Sequence, residues 1–393
     1  MKHLKNEQTN STRRHLLKVL AATGGAALAT SIPATWTKPV IDVGWLPVHA
    51  QASPQQTDIQ ETLCPGEPYD SQITTFIPAV PNKADILFAF DTTASMGPVL
   101  NRAKSEAAKI LTQISALIPN ARFGVIDFRD YAIFSPNPED YPYQLRQPIT
   151  NDTNLVIQAI NNLNLGGGGD LPEAYTRALF ESYQDKNIGF RNEARRFVIM
   201  FGDAVPHDDN FNEGLANPPF NPGGEYCELA TCTLDPGRDE TLGTADDLDI
   251  QTVLADVAAS QISLLFIQSS ADPEQLVYWN YWAGLTGSGG QAVLLGNVDN
   301  LADVIINLIG EASREINRLT LEVVPHTFTA WLISAEEAID LTIPQGGSTI
   351  DLVFTLTPPL DTKVDIYSFT LRTVGDSVVY GETSVQITIP ENC

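Results

Sequence analysis

Positive charge is what this sequence has least of. Only 23 lysines and arginines stand against 48 aspartates and glutamates in 393 residues, a formal charge of −25. The first 52 residues are the exception: six basic residues against two acidic ones give a net +4, leaving about −29 on the remainder. A body this acidic repels phosphate backbones, so nucleic acid is excluded as an expected partner. Also missing is any run long and apolar enough to cross a bilayer. Cysteine is sparse, at four residues, and neither Cys227 with Cys232 nor Cys64 with Cys393 has a nearby histidine or further cysteine, which argues against a cysteine-ligated metal. There is no internal repeat. What the chain does have is 43% hydrophobic residues, and it is long enough for roughly two or three domains.

The basic opening reads as an address. STRRHLLKVLAATGGAALA pairs Arg13 and Arg14 ahead of a short Ala/Gly-rich apolar stretch too brief for a membrane span. Residues 12–18 resemble a twin-arginine export signal. Small-x-small cleavage patterns occur at Ala27-Leu28-Ala29 and Ala50-Gln51-Ala52, and the second is preferred because TWTKPVIDVGWLPVH reads as tether. The expected location is extracytoplasmic: secreted, periplasmic or cell-surface. Oxidising compartments preserve disulfides, so of the three possible pairings, Cys227 with Cys232 and Cys64 with Cys393 are expected.

From residue 83 short apolar strands alternate with helical patterns. DILFAF precedes a helix in AKSEAAKILTQISALI; ARFGVIDF precedes helices around LVIQAINNL and EAYTRALFESY. RFVIMFGD opens a polar excursion over 205–249, followed by IQTVLADVAAS, the strand ISLLFIQ, a helix, the strand QAVLL and the helix NLADVIINLIGEASREI. This rhythm predicts a doubly wound, mostly parallel sheet over about 82–317. After Arg318 the period becomes two: Ile350, Leu352, Phe354 and Leu356 share one face, as do Val385, Ile387 and Ile389. These read as antiparallel strands of a sandwich. SQITTFIP, before the α/β segment, joins it if Cys64 meets Cys393. The expected division is 1–52 signal and tether, 53–81 linker and first sandwich strand, 82–317 the α/β domain, and 318–393 the rest of the sandwich.

The first α/β strand ends ADILFAFDTTASMG. Asp91, Thr93 and Ser95 fall at alternate positions of an expected extended loop, so one carboxylate and two hydroxyls converge at the carboxyl end of a sheet, where ligands collect. Hard oxygens suit Mg²⁺ or Mn²⁺. A second strand ends at Asp203, and between them GGGGDLPEA offers Asp170 and Glu173 in a loop whose glycines permit close approach.

These residues carry a resemblance. The Asp-x-Thr-x-Ser strand end, the loop carboxylate and the later strand-ending aspartate resemble the metal-ion-dependent adhesion site of von Willebrand factor A domains. The likeness is greatest to the I-like domain of integrin beta subunits, and it extends through RFGVIDFRD, ISLLFIQ and RLTLEVVP, about residues 83–325. It implies a Rossmann-like α/β domain inserted into a small antiparallel β-sandwich. It also implies metal contact by Thr93, Ser95 and Glu173, with Asp91 and Asp203 binding directly or through water. Asp130, Asp170, the Pro172 carbonyl and Glu173 match most of a second cation site that in the family holds Ca²⁺. Gly168 stands where the family has an amide side chain, and Pro98 and Val99 replace the acidic pair of a third site. The implied activity is binding: a partner's Glu or Asp carboxylate fills the open coordination position.

Blander readings stand beside these. DTTAS alone matches a helix N-cap, and Asp130 a turn residue. His207 has no nucleophile or second histidine beside it, so a surface-loop role is expected. In DPGRDETLGTADDLD the residues Asp235, Asp239, Asp246, Asp247 and Asp249 suit a calcium loop or a solvated acidic one equally, since the spacing departs from an EF-hand. YCELATC matches a small cysteine loop that shapes partner choice in integrin beta subunits. Against adhesion stand a metal-dependent hydrolase and a structural role in a surface assembly. The hydrolase lacks a positioned base and nucleophile, and Arg129 is the sole basic residue near the motif, so no enzyme is expected.

Overall fold

Residues 84–90 are apolar at every position but Asp85, and a strand with no polar face has to be covered on both sides. The computed structural model, which describes residues 58–134, 137–168, 171–219 and 233–393, places this strand third in a six-stranded sheet counted from one edge. Ile86, Phe88 and Phe90 enter one core, Leu87 and Ala89 the other. The signal-like opening and the pair Cys227 and Cys232 lie outside the described residues.

Two strands precede the α/β layer, β1 (Ile59–Thr62) and β2 (Tyr69–Ile77). The layer then runs β3 (Lys83–Asp91), α1 (Gly97–Leu117), β4 (Asn120–Phe128), β5 (Gln144–Thr150), α2 (Thr153–Asn161), β6 (Pro172–Glu173), α3 (Tyr175–Gln184), β7 (Arg195–Gly202) and β8 (Val205–Pro206). It closes with α4 (Ile250–Ala259), β9 (Ile262–Gln268), α5 (Pro273–Gly284), β10 (Gln291–Leu294) and α6 (Leu301–Ala312). After it come β11 (Glu315–Val324), β12 (Leu332–Ala335), β13 (Ala338–Thr342), β14 (Ser348–Leu356), β15 (Asp365–Gly375) and β16 (Val378–Ile389).

The main sheet has the order β10-β9-β7-β3-β4-β5. Its pairs are parallel except β4 with β5. Helices α1, α2 and α6 cover one face, while α3, α4 and α5 cover the other. This is the Rossmann-like α/β arrangement that the sequence predicts. Strand β5 was not legible: QLRQPIT is half polar and carries Pro148, which only an edge position tolerates. Helix α6 stops at Ala312, short of the expected end, because Ile316, Leu319, Leu321 and Val323 are buried along a strand that starts at Glu315.

The remaining strands form a five-stranded sheet, β1-β16-β15-β11-β13, and a three-stranded sheet, β12-β14-β2. Strands from both ends of the chain therefore pair with one another. One pair departs from antiparallel: β1 runs parallel to β16. Leu352, Phe354 and Leu356 of one sheet share a core with Phe369, Leu371, Val385 and Ile387 of the other, and Thr75 Oγ1 lies 2.8 Å from Thr373 Oγ1 between them. That core continues under α1 and α6, and the described residues make one compact unit. Cys64 is bonded to Cys393, with 5.5 Å between Cα atoms.

Candidate metal site

At the carboxyl end of β3 the chain does not stay extended. Ala94–Met96 form a single 3₁₀ turn that leads into α1, and it is this turn that gathers the side chains. Asp91 Oδ1 accepts from the Thr93 amide at 2.8 Å and lies 2.6 Å from Thr93 Oγ1. Thr93 Oγ1 is 3.4 Å from Ser95 Oγ. Neither hydroxyl caps a helix, so the N-cap reading of DTTAS fails. Asp91 and Thr93 are buried, while Ser95 opens to solvent.

The end of β7 joins this group through a tyrosine. The Tyr175 hydroxyl donates to Asp91 Oδ2 at 2.6 Å and accepts from the backbone amides of Asp203 and Ala204 at 3.1 and 3.3 Å. One phenol thus fixes the spacing between two strand ends. Burial first, and then the charge of Asp203, push the Asp91 carboxyl up to about 7. Burial also raises Asp203, against a lowering hydrogen bond from Ser95. The two carboxylates feel each other's charge, and among the described residues no basic side chain lies between them, so the site concentrates negative charge.

Glu173 is placed from the backbone. Pro172 and Glu173 pair in parallel with Val205 and Pro206, and the Ala174 amide donates to the Arg129 carbonyl at 2.9 Å. A Cβ built on Gly168 would lie 3.4 Å from both Glu173 Oε1 and Thr93 Cβ, so carboxylate and threonine flank the same glycine. The glycine loop itself is pinned. Gly166 N donates to Thr92 O at 3.1 Å and Gly168 N to Asp140 Oδ1 at 3.2 Å. Gly167, at φ +69°, has no room for a side chain, since a Cβ there would fall 1.4 Å from Asp140 Oδ1. Beneath the loop, Arg129 donates to Thr92 Oγ1, Glu139 O and Asn164 O.

The structure therefore brings Asp91, Thr93, Ser95 and Asp203 into one linked set, with Glu173 beside it. The donors are all hard oxygens, and the charge they concentrate is what a divalent cation offsets, so the residues fit Mg²⁺ or Mn²⁺. Among the described residues no three carboxylate, histidine or cysteine side chains enclose a metal by themselves; hydroxyls have to complete the shell.

Other expected residues go elsewhere. Asp130 is fully buried against His207, with Oδ1 2.6 Å from Nε2, and Asp170 lies outside the described residues. His207 is no surface residue: it is wholly buried, stacked on Phe134 with centroids 4.0 Å apart. In the acidic excursion, Asp235 is buried and accepts from the Tyr131 hydroxyl, the Gly237 amide and the Arg177 amide. Asp239, Asp246 and Asp247 accept backbone amides of their own loop, and Asp249 caps α4 through the Thr252 amide. These carboxylates shape the loop. Tyr175 and Asp140 were missed from the sequence, and His207 was expected on a surface loop; Tyr175 left a trace, as a polar-tipped aromatic beside an acidic motif that needs a partner once buried.

Residues 85–217 match the model of the von Willebrand factor type A domain. Human integrin beta-6 is 23% identical over 255 residues, covering 59% of this chain and 31% of that protein. Integrin beta-PS of Drosophila melanogaster is 23% identical over 251 residues, covering 59% and 28%. The chain thus spans about a third of the length of these relatives. Among solved structures, a von Willebrand factor type A protein from Catenulispora acidiphila aligns with a TM-score of 0.36 at 12% identity, covering 86% of this chain and 72% of that one. The pilus adhesin SpaC of Lactobacillus rhamnosus GG aligns at 0.38 and 15%, covering 83% and 46%.

Proposed function

We propose, from the premise that this chain carries a von Willebrand factor type A domain, that the protein is an exported adhesion or protein-binding module. Its ligand is a protein or peptide whose Glu or Asp carboxylate completes the shell of a Mg²⁺ or Mn²⁺ ion. Asp91, Thr93, Ser95, Glu173 and Asp203 hold that ion. Its chemistry is that of a hard cation supplying the positive charge these side chains lack. The chain's own residues do the rest. Tyr175 spaces the two aspartates, the turn at Ala94–Met96 presents Ser95 at the surface, and the pinned glycine loop sets Glu173.

The observation that carries this reading is the linked set Asp91, Thr93, Ser95 and Asp203, two carboxylates joined by hydroxyls and, among the described residues, without a cationic partner. Export by the twin-arginine route belongs to the same proposal, as does treating the two smaller sheets as a β-sandwich carrying the α/β domain. No helix among the described residues is long and apolar enough to cross a membrane. The hydrolase alternative gains no support, because Arg129 is buried and each of its nitrogens already donates, to Thr92 and two backbone carbonyls.

The test is retention on an immobilised array of acidic peptides in Mg²⁺. Binding is expected to vanish in EDTA, in Asp91→Ala, and when the peptide carboxylates become amides. Binding indifferent to all three would sink the proposal, and phosphatase or peptidase activity abolished by Asp91→Ala would replace it.

A further inference from the structure

The carboxylate that resemblance assigns to a second cation is already occupied. Asp130 Oδ1 sits 2.6 Å from His207 Nε2, both side chains are fully buried, and Phe134 stacks over the imidazole. We infer that His207 takes the place of the second cation, so that Glu173 is positioned by the protein's own side chains and the site is built for a single divalent ion. The inference rests on the cation reading of the first site proposed above.

Ca²⁺ takes about six to eight oxygens. Of the carboxylates that resemblance assigns to the second ion, Asp130 gives one of its two oxygens to His207 and Glu173 is shared with the first site, while Asp170 lies outside the described residues. Gly168 offers no side chain, and at φ +76° a longer residue there would be strained.

What a second ion would do for Glu173, three cross-links do instead. The segments around Arg129, Glu173 and Val205 form a closed ring. Ala174 N bonds to Arg129 O, Pro172 and Glu173 pair with Val205 and Pro206, and His207 returns from the third segment to Asp130 on the first. Because His207 follows directly on β8, the contact fixes β8 and Glu173 in the same register. His207 and Asp130 are thus positioning residues for Glu173.

Calorimetric titrations of the purified protein with Mn²⁺ and with Ca²⁺ count the sites in the wild type, Asp91→Ala and Asp130→Asn. The expected result is that Asp91→Ala loses one site and Asp130→Asn loses none. A site lost in Asp130→Asn but kept in Asp91→Ala overturns the inference and leaves the proposed function standing. No site lost in Asp91→Ala overturns both. His207→Asp, checked for folding by circular dichroism, provides the converse: freeing Asp130 and adding a carboxylate is expected to raise the Ca²⁺ count by one. A folded variant that gains none contradicts the substitution of cation by histidine.

Discussion

Strands β3 and β7 carry charged residues at both ends, and the two ends of the sheet treat them in opposite ways. At the base, Asp85 meets Arg191 at 2.6 Å, and Arg195 meets Asp376 at 2.7 Å. Each buried carboxylate there has an arginine, while Lys83 and Arg196 donate to backbone carbonyls. Asp376 sits in the β15–β16 turn, where it also receives the Asn317 amide at 3.1 Å, and Arg195 adds hydrogen bonds to the carbonyls of Ser288 and Ala312. The base therefore locks the end of α6 to the neighbouring sheet. At the other end, Asp91 and Asp203 are both acidic, and the groups between them are hydroxyls and a phenol. A buried pair of opposite charges reads as structure; two like charges without a counter-charge read as a place for something to bind.

The sharpest way to break this comparison is to remove one partner at the base. Arg195→Met leaves Asp376 buried and uncompensated, and denaturant unfolding is expected to show a loss of about 3–5 kcal/mol. At the site end the same operation should cost less, because Asp91→Asn keeps an acceptor for Thr93 and relieves repulsion with Asp203 but loses the bond from Tyr175; the metal-free protein is expected to lose about 1–2 kcal/mol. Equal losses at both ends would remove the distinction.

Intermediate effects belong to the scaffold of the site. Gly167→Ala forces a side chain into Asp140 at a left-handed backbone position, for an expected loss of about 1–3 kcal/mol and weaker cation binding by calorimetry. Tyr175→Phe strands Asp91 Oδ2 and the Asp203 amide, again costing about 1–3 kcal/mol.

A separate expected effect is a pH trend. Burial, with the charges of Asp249 and Asp209, pushes Asp208 up to about 7. The folded state holds this proton more tightly than the unfolded chain, so the group costs nothing below its ordinary value of 3.8 and destabilises progressively as pH rises to about 7. Asp208→Asn should flatten that slope in thermal scans between pH 4 and 7; an unchanged slope would place the titration elsewhere.

Much of the fold was legible because it depends on local pattern. The apolar run of β3 demanded cover on both faces, and alternation after Arg318 marked strands. What escaped depended on distant partners. QLRQPIT becomes a strand only because β4 offers it an edge, and α6 ends early because buried residues beyond it pair with β15. The site divides in the same way. Asp91, Thr93 and Ser95 lie within five residues and announce themselves, whereas His207 and Asp130 are 77 apart and meet only through the fold. The acidic excursion left two readings level for a related reason: a cluster of aspartates looks alike whether it faces a cation or its own backbone amides.

One measurement reaches the central claim most directly: thermal unfolding of wild type and Asp91→Asn with Mg²⁺ and with EDTA. A ligand that binds only the folded state raises the melting temperature as its concentration climbs. The account predicts a Mg²⁺-dependent rise in wild type that is abolished in Asp91→Asn. No rise in wild type, or an equal rise in the variant, would contradict it.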